Sequence, residues 1–317
     1  MTLERPFSKN KCYNILMEKI IVTGGAGFIG SHLVDSLISL GYEVHVIDNL
    51  FSGKKEHVNS KAILHIADIR DGNSIFPLFE GVKYVFHEAA LPQVQFSIEN
   101  PLETNEVNVN GFLNVLEACR INKVKRLILA SSSAIYGNQE ILPTIETMEI
   151  GPLSPYGAQK YIDEVYCRLY SKIYNLETVC LRYFNVYGPR QNPEGAYATV
   201  IPRFFEFYKA GSPLVITGDG EQTRDFVNVK DVANANIQAM KSDKIGKGEV
   251  INIGGNNQYT INYIAGLIGG EITHIEPRIE PRNTQAGITK AKELMDWEPS
   301  VSLEEGILEL KSFNNIK

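Results

Sequence analysis

The stretch KIIVTGGAGFIGSHLVDSLISLGYEVHVID, residues 19–48, decides the fold. Lys19–Thr23 is a β-branched apolar run that stops at glycines, the pattern of a buried strand. Ile29, Leu33, Leu37 and Leu40 then recur at helical spacing, and Gly41 ends that helix. Glu43–Ile47 is a second strand, closed by Asp48. Strand, helix and strand within so short a stretch have the dimensions of a βαβ crossover, which joins parallel strands.

The alternation continues outward. Strands are expected at Ala62–Ile66, Tyr84–His87, Arg126–Ala130 and Glu177–Leu181, with helices at Ser74–Phe79, Leu102–Asn122 and Pro155–Tyr174 between them. This rhythm implies an α/β fold, a doubly wound parallel sheet of Rossmann type. After about Asn185, Gly and Pro become frequent, as in GPRQNPEGAY and GSPLVITGDGEQ, and the segments shorten. The expected organisation is an extension (1–18), a dinucleotide-binding domain (19–184) and a smaller C-terminal lobe (185–317) that closes over a substrate. Within that lobe, about 225–254 is expected to return to the sheet, Val250–Ile253 as a strand.

Gly24, Gly27 and Gly30 stand between the first strand and its helix. In that position Gly24 permits a tight turn, Gly27 lets the backbone approach a pyrophosphate, and Gly30 lets helix and sheet pack closely. Phe28 and Ile29 open the helix, whose N-terminus favours phosphate. Asp48, with Asn49 beside it, follows the second strand, where a carboxylate accepts from ribose hydroxyls and repels a 2′-phosphate. The expected cofactor is therefore NAD. Asp68 and Ile69 are placed beside the adenine, and Ala89 and Ala90 are small residues at a strand end where the cofactor can lie close to backbone.

Tyr156 and Lys160 are four residues apart on one helix, hence on one face. An ammonium beside a phenol favours the phenolate and makes tyrosine a usable base. Ser131, Ser132 and Ser133 end the strand Arg126–Ala130, at the sheet edge where ligands bind. A hydroxyl there can relay a proton.

Composition narrows the alternatives. The net charge of -6 speaks against nucleic acid as a partner. No apolar run reaches the roughly 20 residues of a membrane span. The four cysteines, Cys12, Cys119, Cys167 and Cys180, make no C-x-x-C pair or metal spacing, as expected of reduced thiols in a cytoplasmic protein. Residues 1–18 lack the apolar core of a signal peptide and are read as a tail, or as an upstream start with Met17 the natural initiator.

The stretches VTGGAGFIGSHLVDSL, DNLFSGK, SSSAIYG, PLSPYGAQKY, LRYFNVYGPRQNPEGAYATVIPRF and GDGEQTRDFVNVKDV resemble the extended short-chain dehydrogenase/reductase family. Within it the chain is similar to sugar-nucleotide 4-epimerases, especially those that accept N-acetylated UDP-hexoses. The resemblance implies Tyr156 as base, Lys160 as its activator and Ser132 as proton relay, with Ser133 beside the substrate. It implies Asn108 behind the active site, Tyr183 and Phe184 at the nicotinamide, and Asn185 and Arg224 on the substrate diphosphate. Thr199 and Val200, with Val215 to Thr217, would line a uridine pocket. Arg224 suits a phosphate on chemical grounds too, the alternative being a salt bridge to Asp225.

Dehydratases of this family carry an Asp–Glu pair after the relay hydroxyl, where this chain has Ser133 and Ala134. The resemblance therefore implies reversible hydride transfer at C4 of a UDP-sugar. Thr284, in PRNTQAG, matches the position where a tyrosine excludes an N-acetyl group, and Arg278 matches a substrate arginine in a segment that departs from the family pattern. Other readings are a UDP-glucuronate 4-epimerase or decarboxylase, a dehydrogenase that releases its cofactor, and a non-catalytic NAD-binding regulator. The intact Tyr156–Lys160 pair speaks against the last. The family also implies a homodimer built from the stretches Leu102–Asn122 and Pro155–Tyr174.

Overall fold

The computed structural model describes residues 17–193, 199–277 and 281–316. Strands β1 (Lys19–Thr23), β2 (Glu43–Asp48), β3 (Ile63–Ile66), β4 (Val82–His87), β5 (Arg126–Ser132) and β6 (Glu177–Tyr183) join the strand Lys247–Ile253 in one sheet. Across the sheet the order is β3-β2-β1-β4-β5-β6, then Lys247–Ile253, and every pairing is parallel. This is the Rossmann order with a seventh strand added beside β6.

The central strands read as near-continuous apolar runs because both of their faces are covered. Ile20 and Val22 point into one core, with Leu33 and Leu37 of the helix Phe28–Ser39 and Val232 and Ile237 of the helix Val229–Lys241. Ile21 points the other way, toward Phe112, Leu116 and Leu127. The smaller lobe has its own core, which includes Phe204 and Phe205 from the helix Val200–Lys209, Ile264 from Ile261–Ile268, and Leu303 and Ile307 from Leu303–Phe313. The lobe read as short and irregular segments is thus built on three amphipathic helices.

Two helices position the site. Pro155–Tyr174 is begun by Ser154, whose Oγ accepts from the Gly157 N–H at 3.2 Å, and by Pro155 in its first turn. Asn175 ends it in a left-handed conformation, φ 55°. The expected helix Leu102–Asn122 is Pro101–Asn105, a π-helical turn Glu106–Gly111, and then Phe112–Ile121. The Asn108 side chain in that turn closes both backbone groups of Leu91, accepting from its N–H at 2.8 Å and donating to its C=O at 3.1 Å. A π-helical turn at such a place commonly marks a functional site.

Candidate active site

The carboxyl ends of the strands open into one cleft of about 1740 Å³, lined by both lobes. That exceeds the roughly 300–1,000 Å³ of a site for one small ligand and suits two large ones side by side.

Its floor is the glycine turn. The Gly24 N–H donates to Ile47 O at 2.8 Å, tying the end of β1 to β2. Gly24 has φ +71°, and a Cβ there would lie 2.6 Å from the Ala89 backbone N. A Cβ on Gly30 would lie 2.3 Å from Gly24 O. Around Gly27 the nearest atom to a Cβ is Gly24 O at 3.1 Å, so its tight neighbour is the turn itself, and its outer side faces the cleft. Asp48 braces the turn: Oδ2 accepts from the Ala26 N–H at 3.0 Å and Oδ1 from the Leu50 N–H at 2.8 Å. Gly24, Gly27, Phe28, Ile29, Gly30, Asp48, Asn49, Ile69, Ala89 and Ala90 all line the cleft. Asp68 does not. Its carboxylate is held by Arg70 and by Asn49 Nδ2, and the Arg70 hydrogen bond lowers its pKa to about 2.

Opposite this floor, Tyr156 and Lys160 face the cleft from one helix. The Tyr156 N–H donates to Ser97 Oγ at 3.1 Å, which fixes the helix start against the short helix Val94–Glu99. Lys160 Nζ lies 4.0 Å from Asp163 Oδ2, and both side chains are buried. Burial pushes the Asp163 carboxyl well above the usual carboxylate range, against the pull of Lys160. Neither Asp163 oxygen has a hydrogen-bond partner among the described residues. His87, bonded to Thr23 Oγ1 at 2.8 Å, is pushed far down by burial and is also neutral.

The three serines separate in role. Ser131 Oγ donates to Glu164 Oε1 at 2.6 Å, and Glu164 is paired with Arg182 beneath the site. Ser132 Oγ accepts from the Ala134 N–H at 3.1 Å, which leaves its own hydrogen to donate into the cleft it lines. Ser133 lines the cleft beside it. Asn108 sits one layer back, fully buried, donating to Gln159 Oε1 at 2.8 Å.

The second lobe supplies Asn185, Thr199, Arg224 and Thr284 to the cleft wall. Asn185 Nδ2 donates to Asp225 O at 2.8 Å, and Arg224 Nη1 to Thr223 O at 2.9 Å. Thr284 Oγ1 accepts from the Asp225 N–H at 3.2 Å. Asp225, read as a possible salt-bridge partner of Arg224, turns its carboxylate inward to accept from the Ala286 and Gly255 N–H groups. Val200, Val215 and Thr217 do not line the cleft, whereas Ile201, Pro202 and Phe205 do. Arg278 lies outside the described residues. Among the described residues no group of His, Cys, Asp and Glu side chains could hold a metal ion, and no helix is long and apolar enough to cross a membrane.

Sequence reading missed Glu88, which lines the cleft and bonds the Tyr183 hydroxyl at 2.8 Å. The available signal was a carboxylate placed directly after the apolar strand YVFH. It also missed Val94–Glu99, too short for helical periodicity to show, although four of its residues face the cleft.

Residues 20–254 match the model of the NAD dependent epimerase/dehydratase family. The chain belongs to that family. It is 43% identical to a UDP-glucose 4-epimerase of Thermotoga maritima solved with UDP-glucose, at a TM-score of 0.90 over 94% of this chain and 99% of that one. A UDP-N-acetylglucosamine 4-epimerase of Methanobrevibacter ruminantium, in complex with UDP-N-acetylmuramic acid, is 36% identical at a TM-score of 0.88, over 94% and 99% of the two chains. A UDP-glucuronic acid 4-epimerase of Bacillus cereus, with UDP-glucuronic acid and NAD, is 33% identical at 0.85, again over 94% and 99%. The chain is thus an NAD-dependent enzyme of the sugar-nucleotide epimerase/dehydratase group, and its glycine turn, Asp48 and the Ala89–Ala90 strand end fit that cofactor.

Proposed function

We infer that this enzyme inverts carbon 4 of a UDP-hexose, interconverting UDP-glucose with UDP-galactose and UDP-N-acetylglucosamine with UDP-N-acetylgalactosamine. The observation that carries this reading is the convergence of Ser132, Tyr156 and Lys160 on one cleft, with Ser133 and Ala134 where an acid pair for dehydration would stand. Bound NAD supplies the hydride acceptor for oxidation at carbon 4 and the donor for its return. Tyr156 takes the hydroxyl proton at O4, directly or through Ser132, and holds it while the sugar is a 4-ketone. Lys160 favours the phenolate before that transfer. Asn185 and Arg224 hold the diphosphate while the sugar turns over, so that the proton and hydride return on the other face.

Thr284, a small side chain on the wall, supports a sugar with an optional N-acetyl group. Tyr156→Phe tests the mechanism: turnover is expected to fall by roughly 10²–10⁴ with bound cofactor retained, and near-normal turnover removes Tyr156 as the base.

The homodimer belongs to the same reading. Leu102, Ile121, Ile162, Leu169 and Ile173 are exposed apolar side chains on the two helical stretches expected to pair. Light scattering is expected to give twice the chain mass, and a monomer at working concentration contradicts it.

A further inference from the structure

A chain of three polar groups crosses one face of the sheet at the cleft. Asn236, fully buried on the helix Val229–Lys241, donates Nδ2 to Val232 O at 3.0 Å and to the Tyr183 hydroxyl oxygen at 2.7 Å. A carbonyl only accepts, so Val232 fixes which end of the Asn236 amide faces Tyr183. The Tyr183 hydroxyl, accepting from Asn236, is left to donate to Glu88 Oε1 at 2.8 Å. Glu88 follows the last β4 residue, His87, and its own N–H continues the ladder to Thr23 O at 3.1 Å. β5 lies between β4 and β6, so the Glu88 side chain spans β5 to reach Tyr183. Glu88, Tyr183, Tyr156, Lys160 and Ser132 all line the cleft.

We propose that Glu88 is a positioning residue that locks the Tyr183 ring and sets a carboxylate beneath the nicotinamide, so that the site prefers the oxidised cofactor. The proposal rests on the reading that NAD lies across these strand ends with its nicotinamide against Tyr183. The oxidised ring carries a positive charge and the reduced ring carries none, so a nearby carboxylate stabilises one and not the other. Such a bias returns the enzyme to its starting redox state after each cycle and counters loss of the ketone before the hydride has come back. Glu88 titrates at about 7: burial raises it, and the Tyr183 hydrogen bond and the Lys160 charge oppose that rise. The groups facing it are Tyr183 on β6 and Lys160 on the helix Pro155–Tyr174, and Tyr156 of that helix faces Tyr183 in turn. The preference is therefore complete above neutral pH and relaxes as Glu88 takes up a proton below it.

The test uses the full chain and equal concentrations of oxidised and reduced NAD, exchanged to equilibrium, with the bound ratio read by mass spectrometry after desalting. Glu88→Gln keeps an acceptor for Tyr183 and removes the charge. It is expected to shift the bound ratio toward the reduced form on the order of tenfold. Wild type is expected to lose its preference as pH falls through about 7, and that step is expected to shrink in Glu88→Gln. Tyr183→Phe, which removes the donor, is expected to move the wild-type step to higher pH. A purely structural Glu88 would weaken both cofactor forms alike. An unchanged ratio in Glu88→Gln, or a pH step that is not reduced in it, overturns the proposal and leaves the cofactor reading standing. Wild-type protein that takes up neither form overturns both.

Discussion

Arg182→Met isolates the buried ion pair on which the serine strand rests. Arg182 Nε and Nη2 donate to the two oxygens of Glu164 at 2.8 and 2.6 Å, and the guanidinium carbon lies 4.5 Å from the centre of the Tyr136 ring. The two side chains are 3% and 0% exposed, so neither charge has water as an alternative partner. Burial opposes the Arg182 charge, but Glu164 and Tyr136 outweigh it and leave the guanidinium above its usual pKa range. Removing Arg182 strands the Glu164 carboxylate with only the Ser131 hydroxyl, a loss of about 3–5 kcal/mol. The stacking on Tyr136 adds about 1 kcal/mol. Adding Glu164→Gln removes the stranded charge while keeping an acceptor for Ser131, and should recover at least half of that loss. Urea unfolding of the four proteins of the cycle, followed by circular dichroism, measures both steps. A loss below about 1 kcal/mol for Arg182→Met, or a double variant no more stable than the single one, refutes the reasoning.

Gly30→Ala places a Cβ 2.3 Å from Gly24 O, so the turn must open. The purified variant should carry little NAD, read from the nucleotide released on denaturation. Thr284→Tyr fills the wall beside Arg224 and Asn283. It should lower turnover of the N-acetylated sugar by roughly tenfold or more, a steric loss of about 1–3 kcal/mol, and largely spare UDP-glucose.

The elements read most closely from sequence are those whose ends carry their own chemistry. The helix Pro155–Tyr174 begins at a Ser-Pro cap and ends at an asparagine, and the structure shows those bounds. β1 and the helix after it are marked by apolar runs that stop at glycine. Within the helix Val200–Lys209 only Val200 was read, as a uridine-pocket residue, and no helix was expected, because Pro202 and the Gly/Pro-rich approach obscured its period. In the site, spacing singles out Tyr156 and Lys160 and strand position the run Ser131–Ser133, while the choice of Ser132 comes from the family resemblance; the structure brings these residues to one cleft. The bracing by Ser97, Glu164 and Asp163, and the reach of Glu88 to Tyr183, depend on contacts between distant segments and on burial, which no local pattern records. The π-helical turn at Asn108 is a local change of hydrogen bonding inside a continuous helical run, and no residue type marks it in the sequence.

The most direct test of the assigned reaction is proton NMR of the purified enzyme with UDP-glucose and, separately, UDP-N-acetylglucosamine, with no cofactor added. Appearance of both galacto epimers is the predicted result, since the enzyme should keep its NAD and the wall at Thr284 should admit the N-acetyl group. Both substrates unchanged, with NAD then supplied and still no epimer formed, would contradict the assignment of this cleft to UDP-hexose 4-epimerisation.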